Sequence, residues 1–255
     1  MKENTENLKK RINSAKERIV TKAAIGLLRP FNRHRMIHFE HVVLDPENPL
    51  VFLGNHAEIY GPIACALNFP VPVRYWVIDK MMGNKKDVRA YLYENTFSKK
   101  TFLPVFVRRL LAWFLGWLSV NVMSALRAIA VYRDSPMKLR TTLRESVQAM
   151  QNGENIMIFP ENPDGKYQKG GIGEMSPGFM MLAEAWWKKT GKKLRIMPVY
   201  ADRKERTMSF GDLIMYAPEN GYASEQQRIL TEARDQILRM AGIDVNETMN
   251  EGSGT

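Results

Sequence analysis

Three polar groups in this chain directly follow short apolar runs, where an α/β sheet leaves side chains free for chemistry. Asn55-His56 follows Leu50-Val-Phe-Leu53 and Gly54. Arg133-Asp134 follows Ala128-Ile-Ala-Val-Tyr132, and Glu161 follows Asn155-Ile-Met-Ile-Phe-Pro160. An imidazole titrates near neutral pH, so His56, at a strand end beside a helix start, can take a proton as a general base. It can equally cap the helix or bond to the backbone, which is the commoner use of a lone histidine. An Arg-Asp pair after a strand is, by itself, most often a surface ion pair. The chemistry depends on whether the three strand ends converge.

The elements around them read as strands alternating with helices. A turn-rich connector, Asp45-Pro-Glu-Asn-Pro49, leads into the strand at Leu50–Leu53, and a helix follows through Ile59 to Leu67. Val73–Ile78 reads as a second strand, and 80–95 as polar and helical. Ala128–Tyr132 is a strand. Ser135-Pro136 then opens a helix whose buried face is Leu139, Leu143, Val147 and Met150, closed by Asn152-Gly153. Asn155–Pro160 returns as a strand, and this strand–helix–strand order implies parallel strands with a right-handed crossover. The glycine-rich stretch Asn162–Ser176, with Lys166 and Lys169, reads as a loop over the site. Gly178–Lys189 is helical and Leu194–Tyr200 is a strand. Arg206–Phe210 and Leu213–Tyr216 are predicted to form a hairpin around Gly211-Asp212. Ser224 and Gln227 form a capping box for a last helix through Ala241.

Composition and charge narrow the classes. The chain has 255 residues, 45% hydrophobic and 25% charged, with no linker of low complexity. The expectation is an α/β fold with a mostly parallel central sheet flanked by helices. It forms one domain over 36–245, between a basic N-terminal segment (1–35) and a polar tail (246–255). The single cysteine, Cys65, excludes an internal disulfide framework and a cysteine-rich metal site, and no metal is expected. Of the net charge of +10, residues 1–35 contribute +7, from ten basic and three acidic side chains. There Leu8, Ile12, Ala15, Ile19 and Ala23 recur at helical spacing between Lys and Arg. This is a basic amphipathic helix, which either lies on an anionic membrane or packs as a surface helix. No nucleic-acid module accompanies the charge, so nucleic acid is not an expected partner. Leu110–Leu126 is charge-free for 17 residues, short of the ~20 a span needs. It is expected to be a core helix or a shallow one facing a membrane, with Trp113 and Trp117 at the interface.

The order and spacing of Asn55-His56, Ala130-Val-Tyr-Arg133, Ile158-Phe-Pro-Glu161 and Met197-Pro-Val199 resemble the glycerol-phosphate and lysophosphatidic acid acyltransferase family, from about Leu50 to Tyr200. The resemblance implies acyl transfer from a coenzyme A or acyl-carrier-protein thioester to the hydroxyl of a phosphorylated lipid acceptor, with no bound cofactor. It implies His56 as base and Arg133 on the acceptor phosphate, with Asn55 and Glu161 shaping the acceptor site. It also implies a cytoplasmic place, peripheral to the inner membrane face. Two positions depart from the family pattern. The aspartate expected five residues after His56 is Gly61, which leaves Glu58 as the nearest carboxylate in sequence. Asn162-Pro163-Asp164 replaces Gly-Thr-Arg, which leaves Lys166 and Lys169 as substitutes for the arginine. A rival expectation follows from Gly61: a family member with altered or lost catalysis that binds membrane lipid.

Overall fold

The computed structural model describes residues 29–57, 60–94, 98, 103–133, 135–161 and 172–244, together with Ala23 and Gly26. Most of the predicted N-terminal helix, the polar tail, Glu58, Lys166 and Lys169 lie outside the described residues. In chain order the strands and helices are β1 (Arg35–Ile37), β2 (Leu50–Gly54), α1 (Tyr60–Asn68), β3 (Val73–Ile78), α2 (Lys85–Leu92), α3 (Val105–Ala125) and β4 (Ile129–Val131). They continue with α4 (Pro136–Gln151), β5 (Asn155–Ile158), α5 (Met180–Thr190), β6 (Arg195–Asp202), β7 (Thr207–Phe210), β8 (Ile214–Met215) and α6 (Tyr222–Met240). The fold is α/β with a mostly parallel sheet and flanking helices. The chain forms two compact units, one of 31–74 and 143–255, the other of 1–30 and 75–142.

In the first unit the strand order is β1-β7-β6-β2-β5, with β8 also paired to β6. β2 runs parallel to both β5 and β6, and β1 parallel to β7. All five residues of β2 and seven of the eight in β6 are buried. Such unbroken burial is what a strand covered on both faces shows. Alternation assigns the covers. Phe52 meets Phe69, at the end of α1, with ring centroids 4.9 Å apart, and Phe210 lies 5.7 Å from Phe69. Tyr200 points to the other face and packs with Ile172, Ile237 and Leu238, the last two on α6. Helices α1 and α6 therefore cover opposite faces of this sheet.

β7 and β8 correct the predicted hairpin. Both pair antiparallel with β6, one after the other, instead of with each other. Pro198 in β6 lacks the N–H that a continuous neighbour would need, so the partner strand breaks opposite it. Gly211 N–H still donates to Pro198 O at 2.9 Å, and Asp212 N–H turns to Gln236 Oε1 at 2.7 Å. The last helix also differs. It begins at Tyr222 after Gly221, whose φ is +81°, so the expected cap at Ser224 lies inside the helix.

In the second unit β3 and β4 pair in parallel, with Trp76 opposite Ile129. α2 and α3 lie on the connection between them, and α2 is capped by Asn84, whose side chain accepts from the N–H groups of Lys86 and Asp87. Thr142 Oγ1 ties the first turns of α4 to Ala130 O at 2.6 Å.

Candidate functional site

His56 and Glu161 reach the same edge of the sheet because their strands are parallel neighbours. Leu53 of β2 stands opposite Ile158 of β5, so the residues three places further on, His56 and Glu161, leave the sheet side by side. Between them, Phe159 turns its ring edge-on to His56, with centroids 6.0 Å apart. Gly54 makes room for this ring: a Cβ there would lie 2.6 Å from Phe159 Cε1.

Asn55 is buried. Its Nδ2 donates to Ala201 O at 3.3 Å, and its Oδ1 accepts from Ala201 N–H at 2.8 Å. Its own N–H donates to Val199 O at 3.3 Å. The side chain is committed to the backbone of β6, where it holds the end of β2 and so fixes where His56 begins.

The turn after His56 is tight. Ala57 has φ +42°, a left-handed conformation that costs a non-glycine residue about 1–2 kcal/mol. Tyr60 N–H donates to Ala57 O at 3.1 Å and Gly61 N–H to His56 O at 3.2 Å. Gly61 is pressed onto the preceding backbone: a Cβ would fall 1.8 Å from Asn55 O. The family position that carries an aspartate is thus one where this turn admits no side chain.

Glu161 is fully buried, and among the described residues neither carboxyl oxygen has a well-aligned hydrogen-bond donor. Burial pushes its pKa up to about 7, while the backbone N–H groups of His56, Gly173 and Ala57, facing the carboxyl less favourably, pull it partly back. A carboxyl poised there can hold or release a proton near neutral pH. Its backbone forms an antiparallel bridge to Met175, and Ser176 N–H donates to Pro160 O at 2.8 Å. The bridge closes the base of the predicted loop. The far end of that loop is not all polar cover, because Ile172 is buried in the core with Tyr200.

Arg133 is exposed, two residues past β4, in the unit that contains β3 and β4. Cys65 is buried, and burial alone pushes its thiol to about 12, so it is no nucleophile at neutral pH. His38, Glu40 and His41 gather their ligand atoms within 4.8 Å, but all three are exposed, as solvated surface groups commonly are.

Sequence reasoning missed two groups at the same edge. Tyr200, in β6, feels the charge of Glu161, and burial first, then Asp202 and Glu161, raise its pKa to about 12. Tyr60 opens α1, and its hydroxyl lies 2.6 Å from His34 Nε2 and 3.4 Å from Asp202 O. His34 is buried, with Nδ1 2.9 Å from Asn32 O. Asn68 Nδ2 also lies 3.2 Å from that Nδ1 and donates to Asn32 O at 2.7 Å, which ties α1 to the same cluster. The Tyr60–His34 pair, 26 residues apart in sequence, holds the first turn of α1 and leaves no periodic or motif signal.

The acyltransferase family model matches residues 92–202. That stretch is similar to the acyltransferase family. It contains Arg133, Phe159-Pro160-Glu161 and Pro198, so the family likeness of the later motifs holds, while Asn55-His56 precedes the matched residues. No curated protein matches the chain. The match supports acyl transfer in general, and the site residues rest on the geometry above.

Proposed function

We propose that the protein transfers a fatty acyl group from an acyl thioester to the hydroxyl of a lysophospholipid or glycerol-phosphate-like acceptor, with His56 as general base. The reading rests on one observation above all: His56 and the buried carboxyl of Glu161 stand together at the carboxyl ends of parallel neighbours β2 and β5. In the reaction His56 takes the hydroxyl proton as the oxygen attacks the thioester carbonyl. The tetrahedral intermediate collapses, the C–S bond breaks, and the imidazolium returns the proton to the leaving thiolate, giving ester and free thiol. Coenzyme A or acyl-carrier protein supplies the thioester. Arg133 binds the acceptor phosphate with its two-pronged guanidinium, Lys166 and Lys169 add charge, and Glu58 supports the imidazole. Asn55 acts through the position it gives His56. The enzyme works at the cytoplasmic face of the membrane that holds its acceptor.

Thiol release from long-chain acyl-coenzyme A, with lysophosphatidic acid as acceptor, tests this. His56→Ala is expected to lower turnover about 10²–10⁴-fold. Undiminished thiol release by that variant would sink the reading. Gly61 favours a second reading, a lipid-binding protein without turnover, because position 61 admits no aspartate side chain. Lipid binding with no thiol release over a broad panel of donors and acceptors would favour it.

A further inference from the structure

Helix α3 exposes more apolar surface than a water-facing helix ordinarily does. Val105 is 48% exposed, Phe106 72%, Leu110 61%, Trp113 52% and Phe114 48%. Five of the twelve exposed large hydrophobic side chains among the described residues therefore fall within ten positions. From Phe106 they recur at spacings of four, seven and eight, which is one face of a helix. The inner side is already occupied. Ala112 and Gly116 are buried, and a Cβ on Gly116 would lie 2.6 Å from Arg89 Cγ of α2.

Cations rim the exposed face. Arg109 is exposed beside Leu110, and the Arg89 guanidinium lies 5.0 Å from the centroid of the Trp113 ring. From Leu103 to Arg127 there is no acidic residue. Against a second copy of this chain, a symmetric contact would set arginine against arginine with no carboxylate between them. Against lipid phosphates the same arginines are complementary, and tryptophan suits the headgroup boundary.

By length and composition α3 could cross a bilayer. The strands forbid it. The connection that carries α3 joins β3 to β4, and these two strands are hydrogen-bonded in parallel register. A crossing helix would leave them on opposite sides of the membrane.

We propose that the face of α3 formed by Phe106, Leu110, Trp113 and Phe114 lies in the plane of an anionic bilayer, its rings at the headgroup–acyl boundary and Arg109 and Arg89 on lipid phosphates. This deepens the membrane part of the proposed function and does not depend on the chemistry of His56. Sedimentation of the full chain with phosphatidylglycerol–phosphatidylcholine vesicles tests it, with pure phosphatidylcholine vesicles as the neutral arm. The wild type is expected to bind the anionic vesicles more tightly than the neutral ones. The double variant Phe106→Glu, Trp113→Glu is expected to lose about tenfold or more in partitioning, and Arg109→Gln to lose severalfold with a smaller preference for anionic lipid. Thermal melting of both variants is expected to match the wild type, since the altered side chains are exposed. His56→Ala is expected to bind vesicles fully, so failure of acyl transfer and failure of docking are separate results. Full vesicle binding by the double variant overturns the proposal. So does equal binding to neutral vesicles, or a wild-type dimer that the double variant converts to monomer without changing vesicle binding.

Discussion

At the scale of single residues, Gly61 and Glu161 make the sharpest claims. Replacing Gly61 with alanine puts a carbon into the space of the Asn55 carbonyl oxygen, which is backbone and cannot rotate aside. Gly61→Ala is expected to cost about 3 kcal/mol or more, read as a fall in the denaturant midpoint. An unchanged midpoint would show that the turn opens freely. Glu161 carries a signed pH dependence. Its folded pKa is raised from 4.5 to about 7, so its contribution is fully present below pH 4.5 and is lost as pH rises through 7. The shift corresponds to about 3 kcal/mol. Glu161→Gln removes the titration, so its stability relative to wild type is expected to climb between pH 4.5 and 7 and then level off. Parallel stability curves across that range would refute the buried-carboxyl account.

At the scale of elements, α6 is fastened to the segment after β8 through Glu225. The carboxylate accepts from Arg228 Nε and Nη2, both at 2.7 Å, and from Ala217 N–H and Asn220 Nδ2, both at 2.8 Å. The Arg228 fork leads the causes that hold its pKa down at about 2. A depressed carboxylate stabilises the fold above pH 4.5 and loses that contribution as pH falls toward 2. Glu225→Gln is expected to cost about 2 kcal/mol at pH 7, discounted because Arg228 is partly exposed, and less at pH 4. Chemical denaturation at the two pH values reads the difference. The long elements were legible because each carries its own signal: Val73–Ile78 was bounded by prolines, and α4 by Ser135-Pro136 and Asn152-Gly153. β1 was not, since three residues Arg-Met-Ile become a strand only beside β7. The break between β7 and β8 was misread as a reversal for the same reason. What decides it is Pro198, a residue on another strand.

At the scale of the whole molecule, the architecture was readable further than the site. Parallel strands follow from strand–helix–strand order, but which of them become neighbours does not: His56 and Glu161 meet because β2 lies beside β5, a strand not consecutive with it. Other features depend on contacts that only folding creates: the Asn55–Ala201 clamp, the Tyr60–His34 bond and the pressure of Asn55 on Gly61. Sequence could register that aspartate is missing at 61. It could not register that the backbone fills the space.

The bridge between Glu161 and Met175 bears on how such a protein could diversify. With Ser176 bonded to Pro160 beside it, the two ends of the intervening segment are stapled at the edge of the sheet. Changing the number of residues between them then alters a closed loop, and each doubling of its length costs only about 0.6 kcal/mol in closure entropy. Residues can thus be added or removed between the two staples while the strand ends that carry His56 and Glu161 stay where the sheet holds them.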